Sequence, residues 1–380
     1  MSKNILIAST AKDSCPTFFL PVFDELISKG YRFRLLSNNG QWRGQFKDKK
    51  WPAHKLLLPA LTDDLGSNLL LPVIYPALLI WTVPYLLYLR WKTGVDTILC
   101  FDNSEKIIFT TWAKIFGLKA LWLECPGGNG RPRLSLLNRL RRRLAKHAQI
   151  IIFSSVTKNY LLQIGLNETA ITMLKPGINL NQIRHQENIF DRLANGESAS
   201  RKKNFFTLGA IVRPGEPHNI EMLFQAGKKC LAVIPKLQIV VVSGEADKKG
   251  LAWLVKKLEI ENMVWLVGAR ANLNKWLDSF DIFITTAEII NLEAIRLVTS
   301  AMAAGLAIVG SRGIGWEDLI QDQKNGSLVE AGDSEALAQA IIRLEQNPRL
   351  RSLFGEQCRR MAMNDLALSR IADAWAQILN

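Results

Sequence analysis

Cysteine is scarce in this 380-residue sequence: Cys15, Cys100, Cys125, Cys230 and Cys358, with no CxxC spacing among them. An odd, scattered set in apolar or helical surroundings excludes a disulfide framework and points to buried free thiols in a reducing compartment. Histidine is scarcer still. His54, His147, His185 and His218 have no zinc-ligand spacing, so no metal centre is expected. The sequence also lacks GxSxG, HExxH and P-loop patterns, which removes the common hydrolase, metalloprotease and NTPase readings. The N-terminal Met-Ser-Lys-Asn and the short run Ile5–Ala8 do not make a signal peptide, so a cytoplasmic chain is expected.

Acidic residues are also in short supply. There are 34 Asp and Glu against 48 Lys and Arg, a net charge of +14, which favours nucleic acid, acidic lipid or phosphorylated small molecules. The imbalance is local: residues 1–200 hold 26 of the cations and 14 of the acids, and the second half is nearly neutral. With 48% hydrophobic and 22% charged residues the chain is an ordinary globular one, so disorder is excluded. Its length suits about two domains.

Short apolar β-branched runs alternate with helical patterns, as βαβ units do. Strands are expected at Ile5–Ser9, Phe33–Ser37, Thr97–Phe101, Ala120–Glu124 and Ile150–Ser154. A second series is expected at Phe205–Val212, Gln238–Ser243, Val264–Val267, Ile282–Thr285 and Leu306–Gly310. Continuous runs such as Ile239–Val242 read as strands buried on both faces, hence parallel sheets covered by helices. The expected fold class is α/β, with two Rossmann-like, doubly wound domains facing a cleft. Their boundaries are 1–180, a linker 181–204 and 205–365, followed by a helix at 366–380 that could pack back on the first domain.

Several strand ends carry chemistry-bearing residues. Phe205–Val212 runs into Arg213-Pro214-Gly215-Glu216-Pro217-His218 before a helix, and a guanidinium beside helix-end amides makes an anion site. A solvated loop arginine fits the same spacing. Asn291 can cap a following helix and put Glu293 in its first turn. The small residues Ala301, Ala303, Ala304 and Gly305 suit either close helix–sheet packing or a ligand approaching the backbone.

The stretch Ser300-Ala301-Met302-Ala303-Ala304-Gly305-Leu306-Ala307-Ile308-Val309-Gly310-Ser311 resembles the E-A-M-A-x-G-x-P-V-V-x-S signature of family 4 glycosyltransferases, which are retaining enzymes of the GT-B fold. Asp322–Val329, Gly332-Asp333, Arg213, Val242–Glu245, Val264–Gly268 and Asp281–Thr285 follow the family in order and spacing. The resemblance covers roughly residues 150–365 and is looser in the first half. It implies Arg213, His218 and Glu293 as catalytic groups. Donor contacts are implied at Gly244, Glu245, Gly268, Arg270 and Ser300, with a nucleoside-diphosphate sugar as substrate and no metal cofactor. Three positions depart from the family. Ser300 stands where a second glutamate is usual, with Glu293 displaced by one from the first, and His218 replaces a lysine. A degenerate homologue that binds a sugar or partner without catalysis is the alternative.

In the first half, Asp102 and Glu124 end strands and could orient an acceptor hydroxyl, or simply make strand-end hydrogen bonds. Gly127, Gly128 and Arg131 lie in a glycine-rich turn whose amides could meet an anion. Leu65–Leu89 is uncharged but interrupted by Pro72, Pro76 and Pro84, which argue against one straight helix. It could form buried or cleft-lining helices, an interfacial hairpin or a membrane span, with Trp81 and its neighbouring aromatics suited to a headgroup boundary. Arg139, Arg141, Arg142 and Arg143 lie on a basic amphipathic helix, either a membrane-surface signature or a solvated face over an ordinary core stripe. The expected partners are the donor sugar nucleotide, a lipid-linked or lipopolysaccharide-type acceptor and an anionic membrane surface, with nucleic acid not expected. The expected place is peripheral, on the inner face of the cell membrane.

Overall fold

The structure is a computed structural model. It describes residues 3–10, 16–56, 58–59, 61, 65–125, 136–180, 205–212, 220–244, 247–268, 276–287, 292–313 and 315–380, except the side chains at 16–17, 65–71 and 293. The chain divides into two compact units, Met1–Gly177 with Leu368–Asn380, and Ile178–Ala367.

In the first unit β1 (Asn4–Ser9), β2 (Arg32–Ser37), β3 (Ala53–Lys55), β4 (Val95–Cys100), β5 (Lys119–Glu124), β6 (Ala148–Ile152) and β7 (Ile171–Met173) form one sheet. Its order is β3-β2-β1-β4-β5-β6-β7 and every pair is parallel. Helices α1 (Leu20–Ser28), α2 (Gly40–Asp48), α3 (Leu65–Thr93), α4 (Asn103–Phe116), α5 (Leu136–Ala145) and α6 (Ser155–Gln163) complete it up to Gly177. Ile5, Leu6, Ile7, Leu35, Ile98, Leu121 and Ile151 are fully or almost fully buried, as a sheet covered on both faces requires.

The second unit repeats the plan. Strands β8 (Phe206–Ile211), β9 (Leu237–Ser243), β10 (Val264–Gly268), β11 (Ile282–Thr285), β12 (Ala307–Arg312) and β13 (Gly326–Glu330) lie in the parallel order β10-β9-β8-β11-β12-β13. The helices are α7 (Ile220–Cys230), α8 (Lys248–Lys257), α9 (Leu292–Ala303), α10 (Ser334–Gln346) and α11 (Pro348–Asp365). In both sheets the order reverses beside the first strand, and ligands of doubly wound sheets bind at that point, beyond the carboxyl ends of the strands.

The last helix, α12 (Leu368–Leu379), returns to the first unit and packs on α1. Trp375 lies 6.3 Å from Phe19, centroid to centroid. Lys3 Nζ donates to the carbonyl of Leu379 at 2.6 Å, and Lys29 pairs with Asp373.

The small residues after α9 are used for packing. A Cβ on Gly355 of α11 would lie 2.1 Å from the Gly305 carbonyl oxygen, so only glycine permits this approach.

Helix α3 is one continuous helix, contrary to the expectation from its prolines. Pro72, Pro76 and Pro84 lie on its exposed side, where carbonyls deprived of an N–H partner are open to water. The opposite side, Tyr75, Leu78, Leu79, Thr82, Leu86 and Leu89, is free of proline and packs on the core. Tyr75 Oη and Thr111 Oγ1 are 2.6 Å apart, and Trp112 Nε1 donates to Thr82 Oγ1 at 3.0 Å. Pro72–Thr93 is long and apolar enough to cross a membrane, with a mean hydropathy of 1.5. However, β3 and β4 on either side of it belong to one sheet. The helix therefore lies along the first unit with an apolar face outward.

Candidate active site

In the second unit, β8 and β11 end side by side at the reversal. A small cavity of about 20 Å³ there is lined by Val212, Ile220, Thr285, Thr286 and Ala287 among others. Trp316 Nε1 donates to the Ala287 carbonyl at 2.7 Å and fixes the exit of β11. Gly244 directly follows β9 and accepts from Asp247 N at 3.2 Å, so its backbone turns immediately at the strand end. Gly268 closes β10 at the same edge. Ser243 Oγ is buried there without a partner among the described residues.

Ser300 lies in the third turn of α9, half-buried, and its hydroxyl donates to the Arg296 carbonyl at 2.7 Å. Glu293 has its backbone in the first turn of α9. Arg213, His218, Glu245, Arg270, Gly127, Gly128 and Arg131 lie outside the described residues.

In the first unit, the reversal falls between β1 and β4. Asp102, just past β4, caps α4, and Ser9 Oγ donates to its Oδ2 at 3.1 Å. Glu105 completes the capping box by accepting from Asp102 N at 3.1 Å, and its other oxygen accepts from Thr10 N. Glu105 is fully buried. Desolvation, reinforced by the charge of Asp102, pushes its carboxyl up to about 8 despite those hydrogen bonds.

Glu124 ends β5 inside a three-membered ion cluster. Arg141 Nη2 of α5 donates to its Oε1 at 2.5 Å, and Lys106 Nζ of α4 lies 3.0 Å from the same oxygen. Burial alone would raise the Glu124 carboxyl, but the two cations outweigh it and hold it below the usual carboxylate range. One oxygen thus serves two cations, so Glu124 has the character of a structural anion. Arg141 is not a surface cation: only 7% of it is exposed, and it faces Glu124 rather than solvent. Its Nε has no partner among the described residues. Arg139 and Arg143 are exposed and Arg142 half-buried, so the outward basic face of α5 is narrower than its sequence suggests. Lys106 and Glu105 escaped the sequence reading. The available signal was the D-x-x-E spacing from Asp102 to Glu105, a capping-box pattern directly after a strand.

Residues 202–347 match the family model described as glycosyl transferases group 1. The match covers 146 of the 380 residues, all within the second unit. The lipopolysaccharide core biosynthesis glycosyltransferase LpsE of Rhizobium meliloti is 22% identical over 151 residues, covering 40% of this chain and 44% of LpsE. The chain spans less than half the length of the curated relatives it matches. Over the full chain, a glycosyltransferase structure from Rickettsia africae superposes with a TM-score of 0.81 at 14% identity, covering 100% of this chain and 98% of that one. Anabaena Alr3699/HepE in complex with UDP gives 0.75 at 16% identity, with 99% of each covered. The chain has the GT-B fold of two Rossmann-like domains.

Proposed function

We propose that this chain transfers a hexosyl group, with retention, from a nucleoside-diphosphate sugar to a lipid-linked saccharide or lipopolysaccharide-type acceptor at the inner membrane face. The family match over the donor unit carries the reading, because that unit presents the strand-end crevice where a nucleotide binds. A UDP complex of HepE, which shares the fold, favours a uridine donor. LpsE, from lipopolysaccharide core synthesis, favours an envelope acceptor.

The chemistry asked of the site is stabilisation of a departing diphosphate. Arg213, His218 and the amides at the start of the following helix would supply positive potential to the leaving group without a metal. The Gly244 and Gly268 strand ends would let backbone approach the nucleotide, with Glu245 and Arg270 on the loops beyond. Glu293 would contact the donor sugar from the first turn of α9. In the first unit, Asp102, whose Oδ2 already accepts from a hydroxyl (Ser9), would orient the acceptor. The exposed Arg139 and Arg143, with Trp81, would face anionic lipid.

A panel of nucleoside-diphosphate sugars, with donor hydrolysis as readout and EDTA in a parallel series, tests the reading. Turnover of one donor, unchanged by EDTA and abolished in Arg213→Ala, is expected. No binding and no turnover with any donor would leave the second reading, a degenerate sugar- or partner-binding homologue. That reading is favoured by Ser300, whose hydroxyl is turned back onto its own helix at Arg296.

A further inference from the structure

Beside the first sheet, the segment around β3, helix α3 and helix α4 border a half-open cavity of about 620 Å³. That size lies within the ~300–1,000 Å³ usual for ligand pockets. Leu58, Trp81, Pro84, Tyr85 and Phe109 line it, with Lys55 at one side. Ser104 fixes the wall that carries Leu58. Its Oγ donates to the Pro59 carbonyl at 2.7 Å and accepts from Leu61 N at 2.7 Å.

Polar groups inside are few. Thr82 also lines the cavity, but its hydroxyl donates to the Leu78 and Leu79 carbonyls at 2.8 and 3.0 Å and accepts from Trp112. The Lys55 ammonium and the Tyr85 hydroxyl remain as polar side-chain groups. A sugar or nucleotide would lose its hydration there with almost nothing to replace it, whereas a hydrocarbon chain needs no partners.

The surroundings point the same way. Trp81 is 65% exposed and Trp91 92%, and Ile80 and Tyr88 stand out beside them on the outward face of α3. Such aromatics sit well at a water–hydrocarbon boundary. Among the described residues, no carboxylate lines the cavity and Lys55 makes no ion pair. The Arg34 guanidinium lies near enough to oppose the upward push of burial on the Tyr85 phenol. Arg90 and Lys92 extend the positive charge along the last turn of α3.

We propose that this cavity seats one hydrocarbon chain of a phosphate-bearing membrane lipid, with the phosphate held by Lys55. The proposal rests on the membrane-facing reading above and adds to it a lipid site of defined stoichiometry. It makes docking a specific event rather than adsorption of a basic surface.

The full chain is titrated with long-chain lysophosphatidic acid below its micelle concentration, with stoichiometry read by calorimetry. A brominated-chain form is used to quench tryptophan fluorescence. Saturation at one lipid per chain is expected, with the main quenching lost in Trp81→Phe. Lys55→Glu, an exposed position, weakens binding about tenfold or more. Leu58→Trp fills the cavity and abolishes binding; if that variant does not fold, Lys55→Glu carries the test alone. Unsaturable uptake unaffected by Lys55→Glu, equal binding of an uncharged monoacylglycerol, or full competition by inorganic phosphate would each overturn the proposal. Donor hydrolysis by the unaltered protein without lipid, run in parallel, separates failure of the lipid site from failure of the glycosyl-transfer reading.

Discussion

Replacing Glu124 by glutamine leaves Lys106 and Arg141 facing each other in the interior without their shared anion. Their side chains are only 4% and 9% exposed, so water offers little relief. At 3.0 Å the Lys106–Glu124 attraction is ~5 kcal/mol for an effective dielectric constant of ~20. Most of that offsets the cost of desolvating the charges. Removing one member of a buried ion pair costs ~3–5 kcal/mol net. Glutamine keeps the shape and one acceptor oxygen, which places Glu124→Gln near the lower end. Arg141→Met leaves a one-to-one pair between Lys106 and Glu124, so its cost is smaller, ~1–3 kcal/mol. Because the molecule has two units, amide exchange in peptides from β5, α4 and α5 is a better readout than a global midpoint. Exchange there accelerates ~100-fold or more in Glu124→Gln, with β9 and β12 unchanged. The sign of the pH dependence is fixed as well. The folded Glu124 carboxyl lies below its ordinary value, so its contribution is full at neutral pH and is lost as acid titrates it. The gap between variant and parent therefore closes below pH ~4. A Glu124→Gln protein within ~0.5 kcal/mol of the parent at pH 7, or a gap that widens in acid, would refute the reasoning.

Glu105 titrates in the opposite sense. Its raised carboxyl favours the folded state below the ordinary carboxylate value, and that advantage is lost as pH rises through about 8. The melting temperature of Glu105→Gln should accordingly approach that of the parent between pH 6 and 9; parallel curves would count against a buried, shifted acid. Gly355→Ala drives a methyl group against the Gly305 carbonyl and should cost the second unit ~1–3 kcal/mol, seen as earlier urea unfolding of α11 and β12. An unchanged midpoint would show that the helix retreats at no cost. The double variant Arg139→Gln/Arg143→Gln removes two exposed cations and should weaken flotation with anionic liposomes ~30-fold, at ~1 kcal/mol per cation. Recovery equal to the parent would take α5 out of the membrane contact.

The sheet cores were the most legible part of the sequence. Continuous apolar runs such as Ile239–Val242 report burial on both faces and depend on nothing distant. Strand β3, Ala53–Lys55, was missed because it is short, at the sheet edge and half polar, so its pairing with β2 leaves almost no hydrophobic signature. The prolines of α3 misled for a physical reason. Proline breaks a helix through backbone groups it leaves unpaired, and those cost little where the face is open. Which face is open depends on what packs opposite. The site divides in the same way. The strand-end positions of Asp102, Glu124, Gly244 and Gly268 follow from local pattern. The burial of Arg141 depends on meeting Glu124, 17 positions earlier, across a helix–sheet contact. No amphipathic stripe encodes that meeting.

The return of α12 to the first unit has a consequence for how the chain is made. Phe19, which caps α1, is covered in part by Trp375, yet the second unit, Ile178–Ala367, lies between them in the sequence. At ~5–20 residues per second, a ribosome needs ~10–40 s to make that stretch. During that time the second unit, which is continuous in sequence, can fold to completion. The first unit must wait with an aromatic surface uncovered. Its most vulnerable state during synthesis is therefore a nearly finished sheet lacking one helix.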